Sequence, residues 1–190
     1  MISVEPIRDR DKIKEIEAKL AALTTDIGRK QYLLFEIGIY LARRISDMIV
    51  MRVGDIRGRE VFIIREKKTK KRIELPIPQE LQKIVRQRLK GMADDEYIFQ
   101  SRQRDPKGRI THISRKTAYN YVQAIKEIGD LGYPFACHSL RKTFGYHYYM
   151  RTRDIAMLMD LFNHSKESIT LIYIRIAIDE KRRALMKWKY

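Results

Sequence analysis

The chain has 190 residues and a mass of 22.7 kDa, with 40 Lys plus Arg against 24 Asp plus Glu, a net charge of +16 and a pI near 10.0. A 44% hydrophobic content argues against a disordered tail, and this length accommodates one compact domain with a sizeable core. The single cysteine, Cys137, excludes an internal disulfide, and the start of the chain has no apolar leader and no window suited to a membrane span. Such an excess of cations predicts a polyanionic partner, because Lys and Arg release counterions from a phosphate backbone.

Residues 9–22 predict a first helix, with Ile13, Ile16 and Leu20 on one apolar face. Residues 28–43 predict a second helix; Tyr32, Leu33, Leu34, Phe35, Ile37, Ile39, Tyr40 and Leu41 suggest burial on most sides. Residues 46–51 predict one or two further helical turns, capped near Ser46. The period then changes. Residues 61–65 and 72–75 are β-type runs around a basic turn at 66–71, a hairpin that Pro76 and Pro78 end, with Pro78 opening a helix over 79–89.

Residues 97–99 form a short apolar piece, and 101–116 a polar, basic stretch broken by Pro106 and Gly108. Helices are predicted over 117–128, 138–150 and 154–161. Residues 169–178 are rich in β-branched side chains and read as a strand on propensity, although Ser168 also suits a helix N-cap. Residues 179–187 form a basic amphipathic end. No linker divides the chain, which predicts one α+β domain over 1–190, mostly helical with one small sheet.

The chemistry-bearing residues lie in CHSLRKTFGYHYYMRTRDIAMLMDLFNHSKESITLIYIR, residues 137–175. His138 and Arg141 are three apart and share a helix face. Taken singly, they also suit a capping histidine and a surface arginine, His164 suits a cap, and Tyr173 suits a core tyrosine. His138 and His147 do not form H-E-x-x-H, and one cysteine supplies no zinc set, so the motifs give little support to a metal site.

Two upstream features join them: Arg44 at a helix boundary with Asp47 three residues on, and Lys68 in the hairpin turn. The order Arg44, Lys68, His138-x-x-Arg141, His164, Tyr173 resembles the tyrosine recombinases, the phage integrase family. ARRISDM matches that family's first arginine box, G-L-R-I-S-E-L. Lys68, Thr69 and Pro76 match its lysine hairpin, HSLR its H-x-L-R box, and FNHSKESITLIY its L-G-H-S-S-x-x-T-T-x-x-Y box. Two departures are Arg43, where an apolar residue is usual, and Asn163, where glycine is common. Many members also carry an N-terminal clamp domain, and fewer than about fifty residues precede Arg44 here, too few for a separate domain.

The resemblance implies a site-specific recombinase or integrase of a mobile element, cutting DNA through a 3′-phosphotyrosyl link. Tyr173 is then the nucleophile, and His138 its general base or acid. Arg44, Arg141 and His164 hold the scissile phosphate, Lys68 protonates the departing 5′-oxygen, and Asp47 orients Arg44. It also implies a short, movable helix at Tyr173 in place of a strand. Implied partners are double-stranded DNA and three further copies in a homotetramer on DNA, from a monomer or weak oligomer when free. The expected location is cytoplasmic, with the nucleoid. The final segment is a candidate for docking on a neighbouring subunit or for packing on its own domain. Candidate DNA contacts are Arg43, Lys70, Lys71, Arg102, Arg104, Lys107, Arg109, Arg115 and Lys116. The competing reading is a catalytically silent DNA-binding integrase fragment acting as a regulator; a topoisomerase using the same chemistry is a third.

Overall fold

A computed structural model describes residues 3–65, 72–176 and 185–186. Lys68, Lys70 and Lys71 lie outside the described residues, as does most of the basic end segment; of that segment only Leu185 and Met186 are described, both exposed.

Helices α1 (Arg10–Ala21) and α2 (Asp26–Leu41) start at Asp9 and Thr25, whose side chains accept from backbone N–H groups of the first turn. Along α2, Leu33, Leu34, Phe35 and Ile37 are fully buried, because α1, α4 (Gln79–Arg88), α5 (Arg115–Ile128) and α6 (Cys137–Thr152) surround it. Its all-round apolar surface is therefore the centre of the main core. A Cβ on Gly38 would stand 2.8 Å from Leu140 Cδ1, so the missing side chain lets α2 and α6 approach closely.

The short helix α3 (Ile45–Met48) begins at Arg44, not at Ser46: Arg44 is the extended residue at its start, and its carbonyl receives the N–H of Asp47 at 2.8 Å. Strands β1 (Val61–Arg65) and β2 (Arg72–Pro76) pair antiparallel with Phe62 opposite Leu75. Pro78 is the N-cap residue of α4, one position before its first turn.

A second hairpin, β3 (Gln100–Arg104) with β4 (Ile110–His112), replaces the predicted irregular stretch, so the described residues hold two small sheets instead of one. Its strands carry too few β-branched residues to show in the pattern. The turn holds it: Asp105 Oδ1 accepts from the N–H groups of Lys107 and Arg109, both at 2.9 Å, and Gly108 adopts φ 75°.

Helix α7 (Ile155–Phe162), capped by Asp154, and α8 (Glu167–Tyr173) pack beside α6 around a second cluster of Ala42, Leu158, Phe162, Ile174 and Ile176. The strand reading of 169–178 is overturned over its described part, 169–176. A strand face would bury Thr170, Ile172 and Ile174 together, whereas Thr170 and Ile174, four apart, are buried and Ile172 is 63% exposed. Lys166, not Ser168, precedes the helix. A Cβ on Gly145 would stand 2.6 Å from Ile174 Cγ2 and 2.8 Å from Phe162 Cζ, so this glycine sets how closely the second cluster sits on α6.

Candidate active site

Helix α6 presents His138 in its first turn and Arg141 one turn later, on the same side. Tyr173 ends α8, and its hydroxyl lies 3.0 Å from His138 Nδ1, with the rings edge to face. His164 follows the left-handed Asn163 (φ 51°) that ends α7, and its N–H donates to Met159 O at 2.9 Å. Its Nδ1 is 3.0 Å from Thr170 Oγ1, and its ring centroid is 5.2 Å from that of Tyr173. One turn of α8 therefore holds both the candidate nucleophile and the hydroxyl that fixes the neighbouring histidine.

Arg141 is buried. Its Nη1 donates to Ala42 O at 2.7 Å and its Nη2 to Phe162 O at 3.1 Å, while the guanidinium lies 4.4 Å from the centre of the Phe162 ring. Arg44 is half-buried, where the chain leaves α2 for α3, and Asp47 is buried one turn beyond it.

Charges converge on the same point. Burial pushes the Tyr173 phenol above its ordinary pKa, and the cations of Arg141 and Arg44, with a hydrogen bond from Arg141, pull it back down. Burial lowers His138, and Arg141, Lys142 and Arg44 lower it further. His164 is lowered by burial and then by Arg141 and Arg44. Both imidazoles are thus held towards the neutral form, next to two guanidiniums and a phenol. An anion between them would relieve the repulsion among the cations, and guanidinium N–H groups suit phosphate oxygens.

The fold thus brings together Arg44, His138, Arg141, His164 and Tyr173, drawn from sequence positions more than a hundred residues apart. Arg43 is a correction. It is 2% exposed, its Nε donates to Leu41 O at 2.9 Å and its Nη2 to Leu161 O at 2.8 Å, so its guanidinium faces inward and not towards a DNA backbone.

Arg102, Arg104, Lys107 and Arg109 are exposed on the β3–β4 hairpin, and Arg115 and Lys116 on the first turn of α5. Arg109 is held by Asp105 at 2.7 Å, which neutralises much of its charge. The α5 pair stands at a helix N-terminus with no acid in the first turn, where cations are disfavoured unless an anion joins them.

Sequence reasoning missed Thr170 and Lys142. The T-x-x-Y spacing places Thr170 beside Tyr173 once 167–173 is read as a helix. Lys142 Nζ lies 5.3 Å from the Tyr173 ring centre and donates to Val4 O at 2.8 Å, so it ties the N-terminal segment to the back of the site. Glu5 pairs with Arg175 at 2.6 Å and reinforces that tie.

The phage integrase family matches residues 10–180. A Bacillus subtilis (strain 168) protein named "Probable integrase/recombinase YoeC" is 38% identical over 188 residues, covering 95% of this chain and 94% of its own length. Among solved structures, XerH site-specific recombinase bound to palindromic difH substrate, in a post-cleavage complex, superposes with a TM-score of 0.69 at 16% identity, covering 99% of this chain and 54% of that one. A lambda integrase tetramer bound to a Holliday junction gives a TM-score of 0.64 at 15% identity, covering 91% of this chain and 48% of that one. The chain therefore spans about half the length of those two recombinases, and shares their fold over that half. With the family matched across nearly all of its length, the chain belongs to the phage integrase family, the tyrosine recombinases.

Proposed function

We propose that this protein cleaves and rejoins DNA at a specific site, with Tyr173 as the nucleophile. The observation that carries the reading is the 3.0 Å contact between the Tyr173 hydroxyl and His138 Nδ1, set among Arg44, Arg141 and His164. A free phenol, with a pKa of about 10, is a weak nucleophile at neutral pH and must lose its proton as it attacks. The neutral His138 accepts that proton at Nδ1. The Tyr173 oxygen bonds to the scissile phosphorus, and the bond from phosphorus to the 5′-oxygen breaks. Lys68 supplies the proton to the departing 5′-oxygen, leaving a 3′-phosphotyrosyl link and a 5′-hydroxyl.

Charge building on the non-bridging oxygens meets the guanidiniums of Arg44 and Arg141, which are already in place before the substrate arrives. Asp47 helps to hold Arg44. With Nδ1 of His164 accepting from the Thr170 hydroxyl, Nε2 carries the proton and offers it to the same phosphate. Rejoining is the reverse with a 5′-hydroxyl from another strand, and the link conserves the phosphodiester bond energy. Four copies on two duplexes exchange strands in pairs, a reading supported by the fold shared with the lambda integrase tetramer on a Holliday junction.

Arg102, Arg104, Lys107, Arg115 and Lys116, with Lys70 and Lys71, supply backbone contacts that add affinity without reading sequence. Incubating the protein with duplexes bearing the DNA that flanks its coding sequence tests the reading. Strand exchange by the wild type and none by Tyr173→Phe is expected. Tight binding with no exchange or covalent product from the wild type supports the silent regulator instead.

A further inference from the structure

The carboxyl ends of α2 and α7 meet beneath the phosphate site. Both helices end on a left-handed residue that is not glycine, Ala42 at φ 52° and Asn163 at φ 51°. The last carbonyls of a helix have no partner within it and carry its negative dipole end, so two such ends side by side repel. Two guanidiniums lie between them in matching fashion. Arg141 joins Ala42 O to Phe162 O, at 2.7 and 3.1 Å. Arg43 joins Leu41 O to Leu161 O, at 2.9 and 2.8 Å. The four carbonyls are consecutive pairs, 41–42 and 161–162, and each pair stands just before a residue of the phosphate site: Arg44 on one side and His164 on the other.

We infer that Arg43 is a positioning residue for the recombination reaction: its buried guanidinium clamps the turn that carries Arg44 to the turn that carries His164. The inference rests on the recombinase reading above. The Leu41 and Leu161 carbonyls receive Nε and Nη2, which offsets part of the cost of burying the guanidinium. Leucine at this position would occupy part of the space but leave both carbonyls without this donor, and Arg141 alone would hold the two turns together. Lysine would reach one carbonyl at a time, because it lacks the planar fork.

Orthovanadate, a mimic of the phosphoryl group in flight, tests this without requiring the DNA site. Its affinity is measured for the wild type, Arg43→Leu, Arg43→Lys and Arg44→Ala, beside melting temperature and binding to a generic duplex across a salt series. Displacing phosphate-holding groups by about an ångström costs on the order of 10- to 100-fold. Arg43→Leu is therefore expected to fold and lose that much orthovanadate affinity, with Arg43→Lys in between. Duplex affinity and its salt slope should stay unchanged, whereas a residue on the DNA backbone would lower the slope by about 0.9.

A folded Arg43→Leu that binds orthovanadate as the wild type does overturns the inference. If Arg43→Leu does not fold, Arg43→Lys decides: affinity equal to wild type overturns the inference and weaker binding supports it. A wild type that ignores orthovanadate, or an Arg44→Ala variant that binds it as well as the wild type, removes the phosphate site itself and this inference with it. That pattern is distinct from a silent Arg43.

Discussion

His138 faces the Tyr173 hydroxyl at 3.0 Å, and burial together with three neighbouring cations lowers its pKa from the ordinary 6.5. A base must be neutral to accept a proton, so the sign of the pH effect follows. Covalent-complex formation should be flat at neutral pH and fall by one proton's dependence below a midpoint under 6.5. A pH–rate profile on a nicked duplex checks this; an acid limb centred above 7, by order of magnitude, would point to a different base. Replacing His138 by Asn should slow the reaction by roughly 10²- to 10⁴-fold and remove that limb. At this scale the sequence was legible where residues bear chemistry in fixed spacing, as in HSLR. It was misleading for Arg43, whose charge reads as a surface contact until the α2 and α7 ends are seen to meet around it.

At the scale of elements, the site depends on α8 lying against α6, and Gly145 permits it. Gly145→Ala would place a methyl 2.6 Å from Ile174 and 2.8 Å from Phe162. Overpacking of that kind costs roughly 1–3 kcal/mol, and here it also shifts Tyr173 away from His138. Urea unfolding should show lower stability, and covalent yield should fall further than stability alone explains. Helix α2 carries a second testable feature. Glu36 is fully buried, neither carboxyl oxygen has a hydrogen-bond partner among the described residues, and burial followed by repulsion from Glu17 pushes it up to about 8. Its folded pKa exceeds its ordinary 4.5, so its contribution is complete below 4.5 and is lost as pH rises through about 8. Glu36→Gln should therefore melt at nearly the wild-type temperature at pH ~5 and roughly 5 °C or more above it at pH ~9. Helices with clear periods, such as α1 and α2, were legible to within a few residues. The β3–β4 hairpin was not, because its strands are polar and an aspartate turn holds it. Residues 169–173 were ambiguous because β-branched propensity amounts to tenths of a kcal/mol, less than the burial of Thr170 and Ile174 on one helical face.

Across the whole molecule, the charge of +16 predicts DNA binding that weakens steeply with salt. We propose that the exposed arginines of the β3–β4 hairpin and the cations on α5 contribute to that effect. Arg102→Ala and Arg104→Ala should each reduce the slope of log affinity against log salt by about 0.9 and leave thermal stability unchanged. An unchanged slope would place the duplex elsewhere. The charge was legible from composition alone; which cations face DNA was not, since it depends on a hairpin the pattern does not reveal and on Asp105 restraining Arg109. We propose that five residues from distant parts of the chain form one phosphate-cleaving centre around Tyr173. Peptide mapping of the covalent product formed on a nicked duplex carrying the flanking DNA tests this. One modified peptide is expected, with the nucleotide 3′-phosphate joined to Tyr173, and no product from Tyr173→Phe. A covalent product on another residue, or one that persists in Tyr173→Phe, would contradict it.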